Sequence, residues 1–385
     1  MPEEHGSRKL GDIADAAGLK RIHVLAWRDL ADVEAGGSEV HASTVCRLWA
    51  EAGLDVTMRT SYAPGAPTDS RRDGYRVVRR AGRYLVFPRG VASEVLGRHG
   101  TRDALVEIWN GVPWLSPIWA RGPRVTWLHH VHGPMWKMVL PPGLARAGSL
   151  VERRLAPPFY RRTSVITLSP SSRDELVGQL KFPATNVTVV PPGIDARFSA
   201  GGVRSPTPLV VAVGRLMPVK RFELLVDQVA PLRSRHPDLR LVIVGEGAER
   251  DLIEARITRH DAADWVTLAG RITDDELVAL YRRAWIVASA SVAEGWGMTL
   301  TEAAACGTPA VATDIAGHRD AVADGRTGVL AAPDELGAAI GRVVADPDLR
   351  ARLHAGALAH AATFTWEATA AATLTVLADD ALRRQ

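Results

Sequence analysis

The chain has 385 residues, 46% hydrophobic and 23% charged, with a formal net charge of +4. That length exceeds one ordinary core and points to two domains, and that balance excludes a disordered or fibrous protein. No apolar run approaches the ~18 residues of a membrane span, the first twenty residues lack the apolar stretch of a signal peptide, and Cys46 and Cys306 give neither a disulfide framework nor metal spacing, so a cytoplasmic protein is expected.

Charge is unevenly spread: residues 1–200 carry a net +8 and residues 201–385 a net −4. A basic first half suits an anionic surface or substrate, a membrane face being one candidate.

The first half opens with a strand over 21–27, a loop holding Gly36-Gly37, and a helix with Ser38 as its cap and Val40, Thr44, Val45, Leu48 and Ala52 near helical spacing. A strand over 54–58 completes a βαβ opening. The Gly-Gly turn reads either as a phosphate approach or as a plain tight turn. Residues 71–102 hold nine arginines against the acids Asp73 and Glu94, interleaved with Tyr84-Leu85-Val86-Phe87-Pro88. A solvated face is the ordinary explanation; the apolar interleaving points instead to lipid or an anionic acceptor. No nucleic-acid motif accompanies the charge.

Trp109, Trp114, Trp119, Trp127 and Trp136 follow, and core packing accounts for most of them. A strand over 124–128 runs into His129-His130-Val131-His132. Strand alternation sends His129 one way and His130 and His132 the other, and no fourth ligand is evident, so no metal is expected. A histidine at the carboxyl end of a strand is placed for polar work on a substrate. A helix over 145–162, a strand over 164–168, a helix over 171–180 and a strand over 187–190 finish this half. Pro191-Pro192-Gly193 and Gly201-Gly202-Val203-Arg204-Ser205-Pro206 mark a linker at about 191–207.

The alternation restarts with a strand over 209–213, then Gly214-Arg215-Leu216-Met217-Pro218-Val219-Lys220-Arg221 and a helix to Val229. Cations in a first helical turn oppose the helix dipole and are easier to explain with an anion between them. A strand over 239–244 leads to Gly245-Glu246-Gly247, which lacks the third glycine of a dinucleotide fingerprint. A strand over 265–269 reaches Gly270-Arg271, and Thr273-x-x-Glu276 boxes the next helix.

The chain is organised around residues 285–313: a strand over 285–289, a loop over 290–298, a helix over 299–306 and a strand over 309–313. Inside it Glu294 and Glu302 bracket Gly295-Trp296-Gly297-Met298-Thr299-Leu300-Thr301. The glycines let backbone approach a ligand, and the first helical amides suit a phosphate. Two carboxylates beside such a place suit a polyol next to a diphosphate, as in a nucleotide sugar. Thr299-x-x-Glu302 is equally a capping box, which would make Glu302 structural. Repeated strand–loop–helix units give open parallel sheets with binding crevices at the strands' carboxyl ends.

As a set, the Glu294-to-Glu302 signature, the Gly214-Arg215 to Lys220 loop, the Gly36-Gly37 loop and the histidine cluster resemble the retaining glycosyltransferases of family 4, over residues 21–366. The resemblance implies an α/β GT-B fold, two Rossmann-like domains facing across a cleft. Residues 1–200 would bind the acceptor and 201–363 the nucleotide-sugar donor, with a final helix over about 364–385 crossing back onto the first domain. It implies transfer of a hexose from a UDP- or GDP-sugar to an acceptor hydroxyl with retention, without metal or cofactor. Arg215 and Lys220 would clamp the diphosphate, amides around Gly297, Met298, Thr299 and Leu300 the phosphates, and Glu302 the ribose. Glu294 would hold donor-sugar hydroxyls, the backbone near Arg271 the base, Gly37 the phosphates from the other domain, and His129 would act near the donor sugar.

The chain departs from the pattern at Trp296, more often Phe, at Lys220-Arg221, more often Lys-Gly, at Ala316-Gly317-His318-Arg319-Asp320, in place of a Gly-Gly…Glu pattern, and at His130, more often Asp or Thr. These leave the sugar, and the choice among His129, His130 and His132, open. No carboxylate is evident near the histidine cluster, so the front-face route implied by the resemblance is expected over a double displacement. The basic first half, with Met135 to Pro142 and Arg146, Arg153, Arg154, Arg161 and Arg162, suggests a carbohydrate, lipid-linked or cell-envelope glycan acceptor met at an anionic inner membrane face. The alternatives are a GT-B epimerase or phosphorylase, or a sugar-binding module without catalysis.

Overall fold

The computed structural model describes residues 2–385, and the side chains of all but residues 2–8, 134 and 139. The chain divides into two compact units, Met1–Gly193 with Thr365–Gln385, and Ile194–Phe364.

The first unit holds β1 (Arg21–Leu25), β2 (Asp55–Thr60), β3 (Asp69–Arg72), β4 (Tyr75–Arg79), β5 (Ala104–Ile108), β6 (Arg124–Trp127), β7 (Ser164–Thr167) and β8 (Val187–Val189). They form one sheet in the order β3-β4-β2-β1-β5-β6-β7-β8, parallel throughout except for the β3–β4 hairpin. Ile22, Val24, Val106, Val125 and Val165 are fully buried, as strands covered on both faces require, and this is why they read as continuous apolar runs. The C-terminal helix Trp366–Leu382 belongs to this unit and packs against β6, β7 and the helices Pro2–Ala16 and Gly37–Glu51. Polar ties fix it as well: Trp49 Nε1 donates to Ala370 O at 3.1 Å, the Arg124 amide to Asp380 at 2.9 Å, and Thr369 Oγ1 to Pro191 O at 2.8 Å.

The second unit holds β9 (Leu209–Val213), β10 (Arg240–Val244), β11 (Val266–Gly270), β12 (Ile286–Ser289), β13 (Ala310–Thr313) and β14 (Gly328–Ala331), all parallel, in the order β11-β10-β9-β12-β13-β14. Each sheet reverses its strand order once, between β1 and β5 and between β9 and β12. Such a switch point opens a crevice outside the carboxyl ends of the two strands, because their connections leave in opposite directions.

Several local expectations are corrected. The helix over 145–162 is broken into Pro142–Leu150, a π turn Val151–Leu155 and Pro157–Tyr160, because Pro157 and Pro158 cannot donate to an α ladder. The π turn carries Glu152 into the core, where it accepts from the His132 and Gly133 amides at 2.8 and 3.1 Å and from Trp136 Nε1 at 2.9 Å. A carboxylate therefore does stand against the histidine cluster, with both oxygens engaged in holding the loop. Ser38 is not the cap of its helix: Gly36 is, its amide donates to Glu39 at 2.7 Å, and the Ser38 hydroxyl donates to Glu39 at 2.8 Å.

The arginine-rich segment is also less free than its composition suggests. Arg72 and Arg79 pair with Asp29, Arg76 with Asp69, Arg83 with Asp32 and Glu34, and Arg102 with Glu94. Most of these acids lie outside the 71–102 window, so counting charge within it overstated the uncompensated positive surface. Four of the five tryptophans, Trp109, Trp114, Trp127 and Trp136, are buried, as core packing requires. No described helix is long and apolar enough to cross a membrane.

Candidate active site

The polar residues singled out in the second unit lie on loops leaving the carboxyl ends of β9, β11 and β12. The loops after β9, β10 and β11 are stacked through their backbones: the Gly214 amide donates to Val244 O at 3.0 Å, Leu216 to Glu246 O at 2.9 Å and Gly245 to Gly270 O at 2.8 Å. A Cβ on Gly245 would sit 1.9 Å from Gly214 O, and one on Gly247 2.3 Å from Leu216 O. This close approach is what the Gly245-Glu246-Gly247 motif serves. The resulting platform carries Arg215 and Arg271, both with exposed side chains.

Lys220 ends a 3₁₀ turn, and Arg221 caps the helix Phe222–Val229 with φ +48°. A left-handed backbone disfavours a residue with a Cβ. Here the Arg221 side chain is tied down, donating to Ala290 O at 2.7 Å, while the Val292 amide donates to Val219 O at 2.9 Å. These bonds stitch the β9 loop to the β12 loop across the switch point. Within the seam Lys220 Nζ donates to Glu294 Oε1, and Ser291 Oγ donates to the same oxygen at 2.8 Å.

Behind Glu294 stands a second layer that includes Gly317 and His318, noted in sequence only as part of a departure from the family pattern and given no role there. His318 is buried; its Nδ1 donates to Thr313 O at 2.8 Å and its Nε2 lies 3.2 Å from Ser289 Oγ. Thr313 Oγ1 donates to Ser291 O at 2.6 Å. Gly317 lets this layer close up, since a Cβ there would lie 2.2 Å from Glu294 O. The available signal was positional: residues 316–318 follow the carboxyl end of β13, beside β12. Burial pushes the Glu294 carboxyl up, but Lys220 and then His318 outweigh it and hold it below the usual range. Glu294 is therefore ionised at neutral pH.

Gly297, at φ +124°, caps the helix Met298–Ala305. Its first amides, at Met298 and Thr299, have no carbonyl one turn back, which makes them available to an anion. The Leu300 amide donates to Gly297 O at 3.0 Å and its side chain is buried. The capping-box alternative for Glu302 fails, because the helix starts before Thr299 and the cap has no side-chain bond. Glu302 lies half-buried near Tyr281, Asp195 and Arg197, and burial first, then Asp195, raise its pKa to about 7. Trp296 is buried and packs edge-on against Phe364 at 5.2 Å.

In the first unit Gly37 is exposed at the start of a 15-residue helix following the β1 loop. One turn on, His41 Nδ1 is hydrogen-bonded to His129 Nε2 at 3.2 Å, and both rings are buried. Burial, and then the neighbouring His130, lower the His129 pKa to about 3, so this histidine is neutral in working conditions. The His130 and His132 rings stack at 4.7 Å, in a stretch that lies beyond the end of β6 at Trp127. The structure thus brings Lys220 to Glu294 and His129 to His41, while the immediate neighbours of Glu302 are Tyr281, Asp195 and Arg197.

Two open α/β sheet units, one of them with a Lys–Glu pair beside a helix start at its switch point, have the layout of a fold that binds ligands at the carboxyl ends of its strands. The family is fixed by comparison. The model of glycosyl transferases group 1 matches residues 194–359 and that of glycosyltransferase family 4 matches residues 35–198. A D-inositol 3-phosphate glycosyltransferase of Segniliparus rotundus is 30% identical over 395 residues, covering 91% of this chain and 86% of that protein. Sucrose-phosphate synthase from Thermosynechococcus elongatus superposes with a TM-score of 0.79 at 23% identity, over 92% of this chain and 97% of that one. HepE of Anabaena, solved in complex with UDP-glucose, gives 0.71 at 20% identity, over 95% of this chain and 100% of that one. The chain belongs to glycosyltransferase family 4, has the GT-B fold, and is a glycosyltransferase.

Proposed function

We infer that the protein transfers a hexose from a UDP- or GDP-sugar to an acceptor hydroxyl with retention of anomeric configuration. The observation that carries this reading is the Lys220–Glu294 ion pair across the β9/β12 switch point. A donor diphosphate bound by Arg215, Lys220 and the Met298 and Thr299 amides competes with Glu294 for the Lys220 ammonium. The released carboxylate then accepts hydrogen bonds from the donor sugar. Lys220 and Arg215 stabilise the charge that grows on the leaving diphosphate. Glu302 takes the ribose hydroxyls, and the backbone at Arg271 takes the base.

For retention we favour a front-face route, with the leaving phosphate helping to deprotonate the acceptor. Glu152, the carboxylate nearest the histidines, supports this choice because its oxygens already bind two amides and an indole. His129, being neutral, contributes a hydrogen bond rather than a charge. The net +8 of residues 1–200 supports an anionic acceptor in the first unit. Several of the relatives are named for a phosphorylated cyclitol, D-inositol 3-phosphate. Exposed Leu144, Leu150, Leu155 and Phe159 beside Arg146, Arg153 and Arg154 support delivery of that acceptor at an anionic membrane face.

Incubation with a panel of UDP- and GDP-sugars tests the reading. Slow release of free nucleotide with one donor, and an α-linked product from an α-donor by NMR, are expected. Interconversion of the sugar, binding without turnover, or a covalent sugar trapped on a carboxylate of the protein would each overturn it.

A further inference from the structure

At the opposite, amino-terminal edge of the second sheet lies a cavity of about 540 Å³ that the transferase site does not use. It opens where the segments entering β9, β12 and β13 converge, and its wall includes Arg204, Arg282, Arg350, His354 and Trp285. Arg204 and the Gly201-Gly202 pair come from the stretch that reads as a linker in sequence. In the structure Arg204 is not linker-like. It donates to Ala284 O, Gly307 O and, at 2.6 Å, Thr308 Oγ1, so it is fixed against the segments before β12 and β13.

The other cations are held as firmly. Arg282 donates to Ser199 O at 2.8 Å and Ser199 Oγ at 2.9 Å. Arg350 donates to Val343 O at 2.8 Å and Val344 O at 2.6 Å, and lies over the Trp285 ring at 4.1 Å. All three guanidiniums are half-buried, and among the described residues none forms an ion pair with a carboxylate. No acidic residue lines the cavity. Burial lowers the pKa of both Arg204 and Arg350, and for Arg350 the nearby Asp346 offsets that only in part.

Three preorganised guanidiniums with only neutral acceptors, in the half of the chain whose net charge is −4, make a local field that an anion would neutralise. Guanidinium forks match phosphate oxygens, and the volume is that of a small-metabolite pocket. We propose that this cavity is a binding site for a phosphate dianion, free or carried by a small phosphorylated sugar, separate from the donor site of the same unit.

Calorimetric titration of the full-length protein with inorganic phosphate and, separately, with glucose 6-phosphate tests this. Arg282→Gln removes one cation that bonds only to Ser199 among the described residues, and Ala351→Glu places a carboxylate at the exposed mouth without removing any bond. Binding to the wild type that weakens at least tenfold in both variants, and is unchanged in Lys220→Ala, supports the site. A tighter Kd for the sugar phosphate assigns an ester, and equal Kd values assign the free ion. Absence of binding at millimolar ligand, equal affinity in the variants, or loss of binding in Lys220→Ala overturns the proposal. Because Lys220→Ala reports on the donor site and the other two variants do not, failure here is distinguishable from failure of the transferase reading.

Discussion

Lys220 and Glu294 are 74 residues apart in sequence and share one ion pair in the seam between the β9 and β12 loops. Neither residue reaches the other through its own βα unit. The contact exists because the strand order places β12 beside β9, and because Arg221 and Val292 tie the two loops together. The pair makes the switch point a polar, preorganised place in an otherwise apolar sheet.

If that pair yields to a diphosphate, loss of either clamp residue should appear in the chemical step. Lys220→Ala and Arg215→Ala are each expected to lose transition-state stabilisation of order ~3 kcal/mol, roughly a hundredfold in kcat. Lys220→Ala also leaves Glu294 without its counter-charge, so the double variant with Glu294→Ala should be less than additive. Wild-type turnover in both single variants at saturating donor would show that the diphosphate binds elsewhere.

Glu302 links function to stability. Burial, then Asp195, raise its pKa from 4.5 to about 7. Between those values the folded protein keeps a proton that the unfolded chain releases. The stability this group contributes is therefore full below about pH 4.5 and is lost as the pH rises through 7, on the order of 3 kcal/mol in all. Glu302→Gln should raise the thermal midpoint at pH 8 while raising donor KM more than it lowers kcat. An unchanged KM would remove Glu302 from the ribose site.

Gly317 tests the layer behind Glu294. A methyl group there would stand 2.2 Å from Glu294 O, too close without movement of the loop, and overpacking of this kind costs about 1–3 kcal/mol. Gly317→Ala is expected to lower kcat at least tenfold in a protein that still folds by circular dichroism. Full activity with reduced stability would mean that Glu294 tolerates displacement.

Ten of the fourteen described strands were legible because strands buried on both faces leave unbroken apolar runs, and the second-unit loops because Gly214, Gly245 and Gly270 sit where strands end; β3, β4, β5 and β14 were not read. Nor were relations across the switch point. Nothing local in sequence joins Arg221 to Ala290, or His318 to Ser289. Glu152 was hidden for a different reason: a π turn alters which face a residue presents, and helical periodicity does not anticipate it. The capping-box alternative at Thr299 failed because Gly297 starts the helix before Thr299, which the spacing of Thr and Glu alone cannot reveal. The arginines of 71–102 misled because their partners Asp29, Asp32, Glu34 and Asp69 arrive from outside the window.

The buried His41–His129 pair sets an acid limit. Burial comes first among the causes that lower both pKa values, to about 3 for His129. As the pH falls below about 6.5 the unfolded chain takes up protons that the folded one refuses, so stability declines with falling pH until about 3. The slope is at most ~1.4 kcal/mol per pH unit for each histidine. Denaturant unfolding at a series of pH values between 7 and 4 should show this decline, and a His41→Gln variant should show a shallower one. An identical slope in that variant would mean that other groups set the acid limit.

The acceptor side yields the last prediction. With the 71–102 arginines largely paired and Trp136 buried, the case for membrane contact narrows to the helical stretch after the histidine cluster. There Leu144, Leu150, Leu155 and Phe159 are exposed by 56%, 47%, 54% and 53%. Lys137, Arg146, Arg153 and Arg154 border a cavity of about 750 Å³ next to them. Each basic residue near an anionic leaflet contributes ~1 kcal/mol, so these four suffice for reversible docking, and that attraction is screened by salt. Sedimentation with phosphatidylserine vesicles is expected to carry the protein down at low ionic strength, less at moderate ionic strength, and far less after Leu155→Glu with Phe159→Glu. Those substitutions lie on exposed positions and should leave turnover on a water-soluble acceptor intact. Recovery of all the protein in the supernatant at both salt concentrations would exclude the membrane face, and the basic surface would then serve an acceptor that arrives from solution.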